Sequence, residues 1–267
     1  MNDFQKEVAA RLEQVSPEQE LSKLASAFMA ASTLPKYSYN FSWQGRPIIQ
    51  YPQDMVAMQE LIWSVKPDLI IETGIAHGGS IVMSAAMLAQ LDYCDAVATG
   101  TALDPKKTQR RVIGIDIDIR AHNRAAIEAH PMAHLIQMIE GSSIEKDVVK
   151  RVQDIAKKYQ KIMVCLDSNH THDHVLAELE AYAPLTTVGS YCCVFDTVVE
   201  DLPADQFPDR PWMPGNNPKT AVWAYLENLR ATPQTANDGN NLSFEIDKSI
   251  EKKLLITVAP DGYLRRV

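Results

Sequence analysis

Five short apolar runs recur along this chain, near residues 68–73, 111–117, 134–139, 161–166 and 190–195. Stretches with helical spacing separate them, at 79–91, 121–130, 144–159 and 173–183. This alternation limits the folds open to the chain. Strands joined through helices pair in parallel, and the crossovers are right-handed. The expectation is an α/β protein with a parallel sheet covered on both faces.

The two ends read differently from the middle. Phe4, Val8, Leu12 and Val15, then Leu21, Leu24 and Phe28, recur at helical spacing. Ser16 and Pro17 are expected to start the second of these helices. The aromatic, polar stretch from Tyr37 to Gly45 reads as a loop, and Pro52 and Asp54 introduce a helix through Met55, Leu61, Ile62 and Trp63. Residues 1–65 are thus expected to form an N-terminal helical appendage to a domain spanning 66–267. The segment from Leu91 to Arg110 reads as a polar insertion in the first crossover. After a Pro- and Gly-rich loop at 203–218 comes a helix at 220–229. Two strand-like runs follow, Ser243–Ile246 and Leu254–Val258, joined by a link too short for a helical crossover, so an antiparallel pair is predicted. Five parallel strands followed by such a pair form a seven-stranded Rossmann-like sheet. This is the pattern of class I methyltransferases rather than of an all-parallel dehydrogenase fold.

Bulk properties narrow the function. The 267 residues are 46% hydrophobic and 22% charged, ordinary for a globular protein with a sizeable core. A net charge of -8 excludes a broad nucleic-acid face; the basic group Lys106, Lys107, Arg110 and Arg111 reads as a solvated loop. No CxxC occurs among Cys94, Cys165, Cys192 and Cys193, which points to free thiols in a reducing cytoplasm. Neither a basic-then-apolar leader nor an apolar run of membrane-spanning length is read in the sequence.

The first strand runs into a glycine-rich turn and a helix: Asp68-Leu-Ile-Ile-Glu72-Thr-Gly74-Ile-Ala-His77-Gly78-Gly79-Ser80. Glycines allow close approach of backbone to a ligand, and a helix start offers unpaired N–H groups. The spacing is not GxGxxG, which weakens a nicotinamide reading. Asp116, ending the second strand, is placed to accept both hydroxyls of a ribose, with Asp118 read as a capping residue. Ser142, after the third strand, is a candidate for adenine contact, and its neighbour Ser143 for a helix cap. Glu72, Gly74, His77, Ser80, Asp116 and Ser142 are therefore the candidate cofactor-binding residues, for a cofactor carrying adenosine.

Chemistry is read at the fourth and fifth strand ends. Asp167 and Asp196 repel unless a cation or proton lies between them, and oxygen ligands with retained waters suit Mg²⁺. Both are candidate metal ligands. His170, three residues beyond Asp167, is the candidate general base, making His170 and Asp167 the predicted catalytic pair. Asp173 suits the first turn of the next helix, and His174 reads as a packing residue. Tyr191, Trp212 and Trp223 are candidate acceptor-pocket residues for which core packing is the simpler reading. Two alternatives compete. His170, His172 and His174 could form a zinc hydrolase cluster, although they fall one residue short of H-x-H-x-D-H. The chain could also be a non-catalytic binder that retains a cofactor pocket.

These motifs together resemble the cephalosporin hydroxylase / rhamnosyl O-methyltransferase family. The resemblance runs from about Tyr39 to Val267. It is carried by Leu61-Ile-Trp63, Pro67 to Gly74, His77 to Ser80, Gly114-Ile-Asp116, Leu166 to His170, Asp173 to Leu179, Pro214-Gly215, Phe244 to Asp247 and Gly262 to Val267. It implies a class I methyltransferase using S-adenosylmethionine, often with Mg²⁺, on a hydroxyl of a sugar, glycoside or natural product; it does not imply an iron oxygenase. It also implies metal carboxylates at Asp167 and Asp196, a base at His170, and a homo-oligomer, since relatives commonly assemble. Some members carry an acid immediately before the second metal Asp, where this chain has Phe195. The metal then has fewer protein ligands, with Thr197 or water filling in.

Overall fold

The computed structural model describes residues 2–267. Its centre is a seven-stranded sheet. In chain order the parallel strands are β3 (Leu69–Thr73), β4 (Arg111–Asp116), β5 (Ile136–Glu140), β6 (Ile162–Leu166) and β7 (Tyr191–Val194), followed by β8 (Phe244–Ile246) and β9 (Tyr263–Arg266). The spatial order is β5-β4-β3-β6-β7-β9-β8, with β9 antiparallel to both neighbours. The chain builds outward from β3 in one direction, then returns to build from β6 in the other. The switch point therefore lies between the tips of β3 and β6, where open α/β sheets take their ligands.

Alternation along each strand sends successive side chains to opposite faces. Ile70, Val112, Met163 and Cys193 join one core, with α3 (Pro52–Val65), α4 (Gly79–Thr99) and α5 (Ala121–Glu128). Leu69, Ile71, Ile113, Val164 and Cys192 join the other, with α6 (Lys146–Ala156), α7 (His172–Tyr182) and α8 (Pro218–Ala231). Earlier in the chain come α1 (Asp3–Glu13), α2 (Glu20–Thr33) and a separate hairpin of β1 (Phe41–Trp43) and β2 (Arg46–Ile48).

Several expectations are corrected. The stretch 37–45 is not a loop: a 3₁₀ turn leads into the hairpin, whose turn residues Gln44 and Gly45 both have positive φ, the geometry a two-residue turn needs to match strand twist. α2 begins at Glu20 rather than at Pro17. Residues 92–99 extend α4 instead of forming part of an insertion loop. Arg110 pairs with Asp92 and, at 2.7 Å, with Asp95, which fixes the returning chain against that helix. By length and composition α4 is apolar enough to cross a membrane, contrary to the sequence reading; here Ile81 to Leu91 are largely buried in the first core. The antiparallel pair exists, but its second strand is Tyr263–Arg266, not Leu254–Val258. Asp247 caps a short helix, α9 (Lys248–Leu254), and the chain reverses at Leu255 with φ 60°. The backbone of Val258 then donates to the buried carboxylate of Asp54 at 2.9 Å instead of to a ladder. Arg266 was hidden from a polarity reading because its buried guanidinium is paired with Asp238 at 2.8 Å.

The hairpin lies directly on the start of α4. A Cβ at Gly79 would overlap the Pro47 carbonyl oxygen and Ile48. Backbone cannot yield as a side-chain tip can, so Gly79→Ala is expected to cost about 2 kcal/mol of stability by overpacking. Urea denaturation measures this; an unchanged midpoint would show that the hairpin is not fixed on the helix.

Candidate active site

A cleft of about 700 Å³ opens over the switch point. Its floor carries Gly74, Asp167, Ser168, His170 and Asp196. One wall is the turn through Ile75, Ala76, His77 and Ser80; the other is built from α2, the turn at Lys36–Tyr39 and the segment Gln206–Trp212.

The turn is held by protein on all sides. Asp116 accepts from the backbone N–H of Ile75 at 2.8 Å and Ala76 at 3.1 Å, and from that of Asp118 at 3.2 Å. Arg46 donates to the His77 carbonyl, and Asn123 donates to the Ala76 carbonyl at 2.9 Å. Gly74 has φ 89°, and a Cβ there would overlap the Asp167 carbonyl. This glycine is required by the closeness of two strand tips, before any ligand is considered.

On the floor, Asp167, His170 and Asp196 bring one ligand atom each within 4.8 Å of one another. Asp196 ends β7 in the left-handed region, φ 54°, which turns its carboxylate back toward the cleft. The His170 Nε2 lies 3.1 Å from Asp196 Oδ2. Gln50 donates to Asp167 Oδ2 at 3.2 Å, while its own buried carbonyl oxygen has no protein partner. Burial, reinforced by the charges of Asp196, Glu72 and Glu178, pushes the Asp167 carboxyl well above the usual carboxylate range; the Gln50 hydrogen bond opposes this weakly. A floor with clustered acids, one imidazole, an orphaned carbonyl and no Lys or Arg ion-paired to Asp167 or Asp196 among the described residues fits a hard divalent cation.

The predicted residues divide. Gly74, His77, Ser80, Asp167, His170 and Asp196 share the cleft. Glu72 does not line it. It is buried beneath, facing a small chamber with Gln50, Ser80, Ser84 and Asp167, and burial pushes its carboxyl up to about 7. Asp116 and Ser142 lie at neighbouring strand ends, outside the cleft lining. Ser143 caps no helix; its hydroxyl is 3.1 Å from His174 Nε2, and α6 starts after Glu145. Asp118 caps nothing either, since α5 begins after Arg120 without a side-chain cap. Thr197 is fully buried and outside the cleft lining, its hydroxyl donating to the Pro260 carbonyl at 2.6 Å. Phe195 is buried in the first core.

The three imidazoles diverge. His172 Nδ1 bonds Thr220 at 2.8 Å, and His174 joins Ser143, Ser168 and Glu178, so no zinc cluster forms. Tyr191 bonds Asp247 and Trp223 bonds Asp261, both away from the site. Trp212, for which packing was the simpler reading, stands in the cleft against His170. Sequence reasoning missed Gln50 and Arg46 as well. A polar residue just before a proline-started helix was the only signal for Gln50.

Strand order and a cleft at the switch point are those of a class I methyltransferase. The chain belongs to the Rhamnosyl O-methyltransferase/CmcI family, whose model matches residues 35–267. The Rhamnosyl O-methyltransferase of Mycobacterium bovis (BCG / Pasteur) is 30% identical over 218 residues, 80% of this chain and 73% of that protein. The Mycobacterium leprae protein of the same name is 28% identical, over 84% of this chain and 82% of its own. Among solved structures, CmcI in a Mg–SAM form aligns with a TM-score of 0.47 at 15% identity, covering 86% of this chain and 77% of that one.

The raised Glu72 carboxyl has a measurable consequence. The folded state keeps a proton that the unfolded chain releases, so the stabilisation is full below the ordinary carboxyl value and fades as pH rises toward 7. Without added metal or cofactor, Glu72→Gln is expected to remove about 3 kcal/mol of pH-dependent stability between roughly pH 4.5 and 7. Parallel melting curves for variant and wild type across that window would sink the assignment.

Proposed function

We propose that this chain transfers a methyl group from S-adenosylmethionine to a hydroxyl of a sugar, glycoside or natural product, assisted by Mg²⁺. The observation that carries the reading is the convergence of Asp167, His170 and Asp196 on one point of the cleft floor. Family membership supplies the reaction class.

Gly74, His77 and Ser80 hold the donor along the turn, and Ser142 borders its adenine end. Asp116 anchors the turn and faces the ribose side; Glu72 supports the turn from below. S-adenosylmethionine supplies an electrophilic methyl group on a sulfonium. Asp167 and Asp196 would hold Mg²⁺, which when bound would supply Lewis-acid polarisation of the acceptor hydroxyl. The acceptor's proton passes to the His170 imidazole, and the Asp196 carboxylate, 3.1 Å from Nε2, stabilises the imidazolium that results. The acceptor oxygen takes the methyl group, and S-adenosylhomocysteine leaves. Holding both reactants in line accounts for most of the rate gain.

The appendage formed by residues 1–65, with the 203–218 loop, shapes the acceptor side. The acceptor is a small molecule rather than a nucleic acid, in keeping with the net charge of -8. The free cysteines support a cytoplasmic setting, and the exposed apolar residues Phe4, Leu21 and Leu24 support a homo-oligomer.

Three variants test this with labelled donor and a panel of glycosides. His170→Ala is expected to lose about 10²- to 10⁴-fold in kcat while calorimetry still registers S-adenosylhomocysteine. Asp196→Asn is expected to abolish Mn²⁺ binding by electron paramagnetic resonance. Asp116→Ala is expected to weaken S-adenosylhomocysteine at least about tenfold, the loss of a charge-assisted contact. Equal transfer by His170→Ala and wild type would remove the base assignment.

A further inference from the structure

We propose that Trp212 is a positioning residue that holds the His170 imidazole in its working orientation; this rests on the reading of His170 as the base. The two rings meet edge to face, with centroids 4.7 Å apart and planes at 88°. This is a preferred geometry for aromatic pairs. Only 16% of the His170 side chain is exposed. Its one polar side-chain contact among the described residues is Asp196. That one contact fixes a single ring atom and leaves the imidazole free to pivot about it. The edge-to-face contact with the indole removes that pivot.

Trp212 is itself fastened. The Arg210 guanidinium stands over the indole, 5.1 Å from its centroid. Its backbone neighbours are tied down by Asn216, whose side-chain amide donates to the Pro211 carbonyl at 2.9 Å. The same side chain accepts from the His172 backbone N–H, also at 2.9 Å. A single asparagine thus locks the segment carrying Trp212 to the segment carrying His170. Met213 and Asn216 exchange backbone hydrogen bonds at 3.1 and 2.9 Å, and Asn217 donates to the Met213 carbonyl at 3.0 Å. Glu200 accepts from the Gly215 N–H at 2.7 Å. Such a braced loop places an aromatic ring with little freedom of its own. The arrangement is over-built for a half-exposed packing residue, and it ends on the proton-accepting group.

The experiment compares wild type, Trp212→Phe, Trp212→Leu and His170→Ala. Steady-state kinetics are measured with labelled S-adenosylmethionine and an acceptor that wild type methylates. Calorimetry with S-adenosylhomocysteine and ¹⁵N-histidine NMR accompany them. Trp212→Leu is expected to lower kcat at least tenfold, with the KM for both substrates within twofold and S-adenosylhomocysteine affinity unchanged. Its His170 ring nitrogens are expected to lose the single tautomer signature of wild type. Trp212→Phe, which keeps an aromatic edge, is expected to retain most of the rate and the signature. A Trp212→Leu variant with wild-type kcat and an unaltered His170 spectrum overturns the proposal. So does a change confined to acceptor KM, which would make Trp212 a substrate contact. If His170→Ala and wild type turn over equally, the base reading fails instead, and the NMR arm still reports whether the indole orders the ring.

Discussion

Two carboxylates at the tips of adjacent parallel strands, ion-paired to no Lys or Arg among the described residues, set the terms for the site. Leu166 and Val194 are in register across β6 and β7, which sets Asp167 opposite Phe195, and the left-handed turn at Asp196 brings the second carboxylate to the same floor. A protein gains nothing in stability from such a pair; repulsion and burial both raise the Asp167 carboxyl. The fold tolerates it because rigid strands leave neither carboxylate anywhere to go. The cost becomes useful once a cation or a proton arrives between them, since the binding site is already assembled. The backbone at Asp196 bears part of this cost, being one of few non-glycine residues in the left-handed region. The same geometry accounts for Phe195: the residue before the turned aspartate is directed into the core rather than the cleft, and its ring is buried there.

The glycine-rich turn works on the same principle. Its N–H groups are already bonded to Asp116, and its carbonyls to Arg46 and Asn123. Its conformation is therefore fixed by the neighbouring strand, by β2 and by α5. A preset turn gives up little entropy when a ligand is laid along it. Gly74 and Gly79 are small because Asp167 and the hairpin press on them. Glycine spacing in the sequence therefore reports strand and hairpin crowding as much as contact with a cofactor.

That distinction explains what was legible in the sequence. Buried parallel strands are continuous apolar runs, so β3, β4, β6 and β7 stand out, and acids at their ends are easily placed. Leu254–Val258 has the same composition, yet it is not a strand, because Asp54, about 200 residues earlier, accepts the Val258 N–H and the Thr257 hydroxyl. No local pattern carries a contact of that range. Tyr263–Arg266 carries two arginines, a composition unlike a buried strand, although Arg266 is among the largest fully buried side chains. The hairpin at 41–48 was hidden by its shortness. His170 and Asp196 were readable from position alone; Trp212 and Gln50 were not, since each reaches the floor from a loop whose path depends on tertiary contacts.

Gln50 and Asp54 show how the N-terminal part of the chain enters the chemistry. They flank the start of α3, four residues apart. Gln50 reaches Asp167 on the cleft floor, and Asp54 gathers Thr257, Val258 and Tyr263 from the far end of the chain. Asp54 has three donors on its carboxylate, yet burial still lifts it to about 6. The three donors oppose that rise. The C-terminal segment thereby fixes Asp54, Asp54 fixes the start of α3, and that helix start presents Gln50 to Asp167. One continuous run of contacts through the first core thus joins the C-terminal segment to Asp167.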